Sequence, residues 1–454
     1  MPTASSVKKL AIPGKGKSGA TSKRFFSVRS YSATFATEFS VMVAQIAVYK
    51  LAAHWMGQIG FSEYALVRRV LALLPPITML GLSVGLPRYL ALADGRGESA
   101  RSGQYFLSAL FCGGGFTACL AGALMLWPHW FSYIFFGGTE YQYLLHPLAF
   151  MLIGLSAHSL LYAFLRGKLA VGRANVLQLI NNAVVPLLVF SVFHKNTATL
   201  LWYLGFAWTL VACIMFLFTP LKFSWRNPLP ESRELLHYGL QRVPGDFAFM
   251  ALLTLPAIFA AHLGTIHEAG MVAFGLSLVN MIASLFSPVG IILLPKVSRA
   301  IGGADLASVR DEIDIISRLA VLLSGAFVIL FEVFGGWLIR IYLGRDYADA
   351  HSVINVLVVG ALPLAIYSTL RSVIDAFHCK AVNTLNLLVA LGLFLTGSAI
   401  GAMLREPRAF LWSFSCAVGV LAVLTWREVR KILGPTNSNA AVADVAADLP
   451  EGLA

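Results

Sequence analysis

Charge is the scarcest ingredient of this sequence. Asp, Glu, Lys and Arg make up only 12% of 454 residues, against 58% hydrophobic residues. A soluble globular protein carries roughly 25% charged residues, so this chain cannot cover a surface that faces water. Lipid removes that need. Several motifs are also missing. No Walker motif, zinc-ligand spacing or nucleophile elbow occurs, which leaves ATP hydrolysis, metal catalysis and acyl transfer without support. No metal and no cofactor are expected. Gly14-Lys15-Gly16-Lys17-Ser18-Gly19 has the spacing of a dinucleotide loop, but it sits in a polar tail and no strand precedes it. The five cysteines (Cys112, Cys119, Cys213, Cys379 and Cys416) form no Cys-x-x-Cys pair and lie in or beside apolar runs. They read as buried free thiols.

Long apolar runs fill the rest of the chain. A spanning helix needs about 20 mostly apolar residues, and hydropathy places twelve such runs. They are 34–55, 70–93, 103–127, 145–165, 176–194, 199–219, 240–263, 271–294, 316–340, 352–377, 383–404 and 409–428. The expected fold is all-α: a polytopic membrane protein of about twelve transmembrane helices. The net charge is +12, but the cations sit in short clusters between apolar runs, which argues for cytoplasmic loops and against nucleic acid. With both termini cytoplasmic, the inner segments hold 22 Lys and Arg and the outer segments seven, Arg68 and Arg69 among them. An error of one span would invert half the loops and spoil this bias.

The polar connection after the sixth run suggests two halves. The expected division is a basic tail (1–33), a first six-helix bundle (34–219), a cytoplasmic linker (220–236), a second six-helix bundle (237–430) and a polar tail (431–454). Matching fragments recur about 207 residues apart: Gly57-Gln58-Ile59 with Gly264-Thr265-Ile266, and Leu86-Pro87-Arg88 with Leu294-Pro295-Lys296. Parallel six-span repeats would produce this. Several runs carry breakers: Pro75-Pro76, Pro186, Pro244-Gly245, Pro256, Pro288 and Pro363. Gly81-x-x-x-Gly85 and Gly397-x-x-x-Gly401 allow close helix contact.

Ionisable residues at membrane depth are costly, so they tend to line a cavity or to pair. The cations are Lys50, Arg88, Arg242 and Arg371, and the acids are Glu38, Asp246 and Asp375. Arg242 and Asp246 are four apart and can pair along one helix face, as can Arg371 and Asp375. Lys50 and Arg88 can also snorkel to the interfaces. Gln45, Asn181, Asn182 and Asn280 add polarity. The polar atoms concentrate in spans one, two, seven and eight, which points to a central cleft between the two bundles. The excess of one cation suits an anionic cargo such as a phosphate-bearing lipid.

Gly60–Arg69, followed by Met79–Ala91, resembles the first hairpin of polysaccharide flippases of the Wzx type. These belong to the multidrug/oligosaccharidyl-lipid/polysaccharide exporter superfamily. Glu234–Leu240 is similar to the start of their second half, and the stretch around Pro295 and Ser298 resembles the end of their eighth span. The resemblance covers about 34–430. It implies two six-helix bundles around a central cleft, and transfer of an undecaprenyl-diphosphate-linked oligosaccharide across the bacterial inner membrane by alternating access. The product would serve cell-surface polysaccharides such as O-antigen or exopolysaccharide. By span, Lys50, Arg88, Arg242 and Arg371 are the substrate-binding candidates, and Glu38, Asp246 and Asp375 the ion-coupling ones. Membrane lipids, and the glycan polymerase or glycosyltransferases of the same pathway, are the implied partners. The alternative is a cation-coupled multidrug or metabolite antiporter of the same fold. An enzyme ranks third, because the longest outer loop, 128–144, carries Pro128, His129 and Glu140 but no dense polar site.

Overall fold

In hydrocarbon no water satisfies backbone groups, so an apolar chain of this kind closes its hydrogen bonds within helices. The computed structural model describes residues 28–219, 229–286, 307–377 and 382–433. Every regular element among them is helical. Nine of these helices are long and apolar enough to cross a bilayer, and three bent pairs bring the number to twelve. The bends lie between Gly57–Met79 and Leu82–Gly95 (44°), Val243–Leu252 and Leu255–Leu263 (46°), and Arg345–Val358 and Ala361–Asp375 (42°). They make the second, seventh and tenth spans. Pro256 opens the helix after the second of these breaks. Pro288, Lys222, Arg226, Pro295, Lys296, Ser298, Cys379, Lys380 and the glycine-rich stretch at 14–19 lie outside the described residues.

We call the end at which the first span begins proximal and the opposite end distal. Three boundary differences from expectation bear on the site. The first span starts at Val28, inside the expected tail. A helix Leu229–Leu240 occupies the end of the expected linker. The third difference is larger. The second span starts at Gly57, immediately after the first ends at Trp55, so Arg68 and Arg69 lie within a helix and not in a distal loop. Hydropathy measures transfer to lipid. Ser62, Glu63 and Arg69 are instead buried against protein, where the Tyr143 hydroxyl donates to Glu63 and Arg69 donates to the Ala273 carbonyl. Removing Arg68 and Arg69 lowers the distal loop cations from seven to five. The 128–144 stretch is also mostly helical, with a helix Pro128–Phe136 that exposes Trp130 and Tyr133. The four described cysteines are free thiols, as expected, but they are not buried: Cys119, Cys213 and Cys416 are exposed and Cys112 half-buried. On a lipid-facing surface a thiol needs no burial.

Helices from Val28 to Leu217 pack chiefly on one another, as do those from Val243 to Ile432. The second span joins the two sets along its length. Gly57–Leu73 packs on the eighth span Ile266–Ser284, Pro75–Met79 on Val243–Leu252, and Leu82–Gly95 on Leu229–Leu240. The fourth span (Glu140–Gly167) and the eighth are 67% buried along their most apolar windows, against 22% for the ninth (Arg310–Tyr342). These two helices therefore form the core, and the ninth faces outward. At the break of the second span, Leu80 and Gly81 both have positive φ. A Cβ on Gly81 would stand 2.6 Å from Gly239, and one on Gly239 would stand 2.0 Å from the Leu80 carbonyl oxygen. Only glycine permits this backbone contact. Gly397 and Gly401 likewise admit Ser413 and Ala409 of the last span.

Candidate functional site

Five of the seven singled-out ionisable residues converge on one proximal region where spans two, seven, ten and eleven approach. Arg88 and Arg242 both lie over the ring of Tyr238, at 4.7 and 5.1 Å from its centroid. Such contacts contribute roughly 0.5–2 kcal/mol each, and here they hold two like charges near one phenol. The expected Arg242–Asp246 pair along one helix is replaced by a pair across helices. Asp246 accepts from Arg371 of the tenth span at 3.5 Å. The expected Arg371–Asp375 pair forms, also at 3.5 Å. Asn383 of the eleventh span (Val382–Met403) donates to Asp375 at 2.6 Å and to the Arg371 carbonyl at 3.1 Å. Arg371 thus serves two carboxylates. Arg88 and Arg242 have no ion pair among the described residues, so the cluster carries a net positive charge.

Glu38 is not part of this cluster. It accepts a hydrogen bond at 3.3 Å from Gln178 of the helix Val171–Leu179. Gln178 also meets His158 Nε2 at 3.2 Å, and Asn181 meets His158 Nδ1 at 3.1 Å. The Trp208 indole donates to the Asn181 carbonyl at 2.7 Å. Local backbone explains the placement. Residues Ile180–Val184 form one π-helical turn just before Pro186. Such a turn frees groups from the regular ladder and presents Asn181 to both His158 and Trp208. Sequence reasoning noted Asn181 and Asn182 but missed His158 and Gln178. The Gln178–Asn182 spacing (bonded at 3.0 Å) was the available signal.

Lys50 joins neither group. It is exposed near the distal end of the first span, so roughly 30 Å of helix rise separates it from Arg88.

The distal half between the two helix sets is sealed. Phe61, Phe274, Tyr49 and Tyr347 stack edge to face with centroids 5.2–6.1 Å apart. Tyr347 donates to the Ala53 carbonyl at 3.2 Å, Gln58 donates to the Asp346 carbonyl, and Tyr342 donates to the Ile46 carbonyl. A Cβ on Gly270 would stand 2.3 Å from Ser62, so the eighth span touches the second backbone to backbone. Deeper in the membrane, one polar node links spans one, two, seven and eight. Arg69 Nε donates to the Ala273 carbonyl at 3.2 Å. Ser277 donates to the same carbonyl at 2.8 Å and meets the Tyr49 hydroxyl at 2.9 Å. Thr254, at the break of the seventh span, donates to the Arg69 carbonyl at 3.2 Å. Sequence reasoning selected these four spans but not Arg69, which it assigned to a loop.

No family model and no curated protein matches the chain. Solved structures do. An inward-facing multidrug resistance MATE family transporter of the MOP superfamily matches with a TM-score of 0.68 and 11% identity, over 92% of this chain and 100% of that one. The lipid II flippase MurJ in an inward closed conformation matches at 0.67 and 12% identity, over 94% of each chain. The eukaryotic MATE transporter AtDTX14 matches at 0.65 and 14% identity, over 92% and 98%. With two packed helix sets, twelve spans and near-complete coverage on both sides, the chain has the fold of the MATE and MurJ transporters of the MOP superfamily.

Proposed function

We propose that the protein transfers an undecaprenyl-diphosphate-linked oligosaccharide from the cytoplasmic to the outer leaflet of the bacterial inner membrane, in the manner of the Wzx flippases. The observation that carries this reading is the Arg88–Tyr238–Arg242 arrangement. Two guanidinium groups that form no ion pair within 4 Å among the described residues, fixed by one ring, suit a diphosphate, which accepts several charge-assisted hydrogen bonds. The bias of loop cations supports a cytoplasmic proximal face. The cluster then opens to the leaflet where lipid-linked glycans are assembled, beside their glycosyltransferases.

Arg371 adds a third cation, held by Asp246 and Asp375. Protonation of either acid frees Arg371 for the cargo, which couples proton binding to anion binding. Glu38, in its own hydrogen-bonded pocket, is a second coupling group, and Lys50 is a later contact for the anion. A multidrug antiporter for organic cations needs acids that outnumber the bases, and here both acids of the cluster already face Arg371.

Depleting the protein in its host tests the reading. Lipid-linked oligosaccharide is expected to build up on the cytoplasmic leaflet. An unchanged leaflet distribution, with surface glycan still made, would refute it.

A further inference from the structure

The helix Leu229–Leu240 leads into the seventh span, yet it packs on the first half. Leu235 is fully buried in an apolar cluster with Leu82, Leu86, Leu90 and Phe106, and every other buried residue of that cluster lies between Met79 and Leu177. The polar side of the helix is tied to the start of the third span (Ser99–Leu126). Arg101 reaches Glu234 at 3.0 Å and Glu231 at 3.9 Å, both on the helix, and Glu98 at 3.3 Å on its own side. The Tyr105 hydroxyl donates to the second carboxylate oxygen of Glu234. Rings carry the contact onward. Tyr105 meets Tyr89 with centroids 5.2 Å apart, and Tyr89 meets Tyr238 at 6.0 Å. The link to the second half is thin. Gln241 and Arg242 form a turn closed by a bond from the Arg242 amide to the Gly239 carbonyl at 2.9 Å. Pro244 has no amide hydrogen for the Leu240 carbonyl, so a regular helix cannot run through this point. Beyond the turn, Val243–Leu252 packs chiefly on the eleventh span.

We propose that Arg101, Tyr105 and Glu234 clasp this helix to the first half, so that Tyr238 and Arg88 travel as one body and the second half swings on the turn of Gln241 and Arg242. The three are positioning residues. They act on the proximal cluster through the helix and through the Tyr89 ring. An isolated ion pair as exposed as Arg101–Glu234 holds little, but one guanidinium shared among several carboxylates and backed by a phenol forms a network. When the halves part on the proximal side, Arg88 keeps the Tyr238 ring and Arg242 leaves it. Only the transport readout below rests on the glycan-transfer reading above; the hold on the helix is measured without it.

Replacing the clasp by a covalent bond tests this. Tyr105→Cys/Glu234→Cys is made in the full-length protein with its five native cysteines changed to alanine, and a short bismaleimide then joins the two thiols. Hydrogen exchange across residues 229–240 in lipid nanodiscs reads the hold on the helix. Transfer of lipid-linked oligosaccharide in proteoliposomes reads the transport cycle. Without the bridge, exchange should quicken roughly fivefold, the effect of about one partly exposed ionic contact, and transfer should fall by a similar factor. Exchange in the rest of the third span should not change, which is the folding control. With the bridge, both readouts should return to those of the cysteine-free parent, because a helix that never leaves the first half can be fastened to it without harm. The proposal is overturned if the unbridged protein exchanges or transfers like its parent, or if the bridged protein is protected from exchange but no longer transfers. Should the parent itself transfer no glycan, the glycan-transfer reading falls, and the exchange rates alone decide whether the clasp stands.

Discussion

Arg371 shows how one side chain sets the balance of the proximal cluster. It faces Asp246 on another helix and Asp375 one turn along its own. Arg371→Gln leaves two carboxylates without a cation. Breaking a fully buried pair costs about 3–5 kcal/mol, but these groups are about a third exposed, which lowers the expectation to roughly 1–2 kcal/mol. Thermal unfolding in detergent should show a lower midpoint for Arg371→Gln and partial recovery in Arg371→Gln/Asp246→Asn. No recovery would show that the two side chains do not interact. The sequence contains the Arg371–Asp375 pair openly, because four-residue spacing on a helix dictates the contact. The Arg371–Asp246 pair was not legible. It joins residues far apart in the chain, and four-residue spacing pointed Asp246 to Arg242 instead. His158 was hidden for the same reason: its partners Gln178 and Asn181 lie on the next helix. Asn181→Ala strands His158 Nδ1 in the interior, at a cost of about 1–3 kcal/mol. The same thermal assay should register that loss, and an unchanged midpoint would show the network to be structurally idle.

Hydropathy identified the twelve membrane elements because transfer to lipid is what builds them. It failed at the second span. That helix buries Ser62, Glu63 and Arg69 against protein, and a scale calibrated on lipid reads such a segment as a loop. The break of the seventh span was partly legible from Pro256, and the close approach at Gly81 from its Gly-x-x-x-Gly spacing. The close contact of the second and eighth spans at Ser62 and Gly270 was not, since no repeat or motif marks it. Gly270→Val places side-chain atoms where Ser62 stands. Overpacking of this kind costs about 1–3 kcal/mol, and it acts only on the sealed form. Labelling of a cysteine at Ser62 by a membrane-impermeant thiol reagent from outside should therefore rise in Gly270→Val. Equal labelling in both proteins would mean that this contact does not hold the seal.

At the scale of the molecule, two helix sets meet along the second span, sealed at the distal end and charged at the proximal end. The Arg88–Tyr238–Arg242 grouping draws on the second span and on the entry to the seventh, so it senses the position of one half against the other. This is the arrangement that alternating access requires of a binding site. The proposed function requires that Arg88 and Arg242 recognise the anionic head of a lipid-linked glycan. The most direct measurement is the rate at which lipid-linked oligosaccharide reaches the outer leaflet in proteoliposomes. It compares the native protein with Arg88→Gln/Arg242→Gln at equal folded amounts. Two lost charge-assisted contacts of roughly 1.5–3 kcal/mol each predict a fall of at least about tenfold. A double variant that transfers the glycan at the native rate would contradict the account.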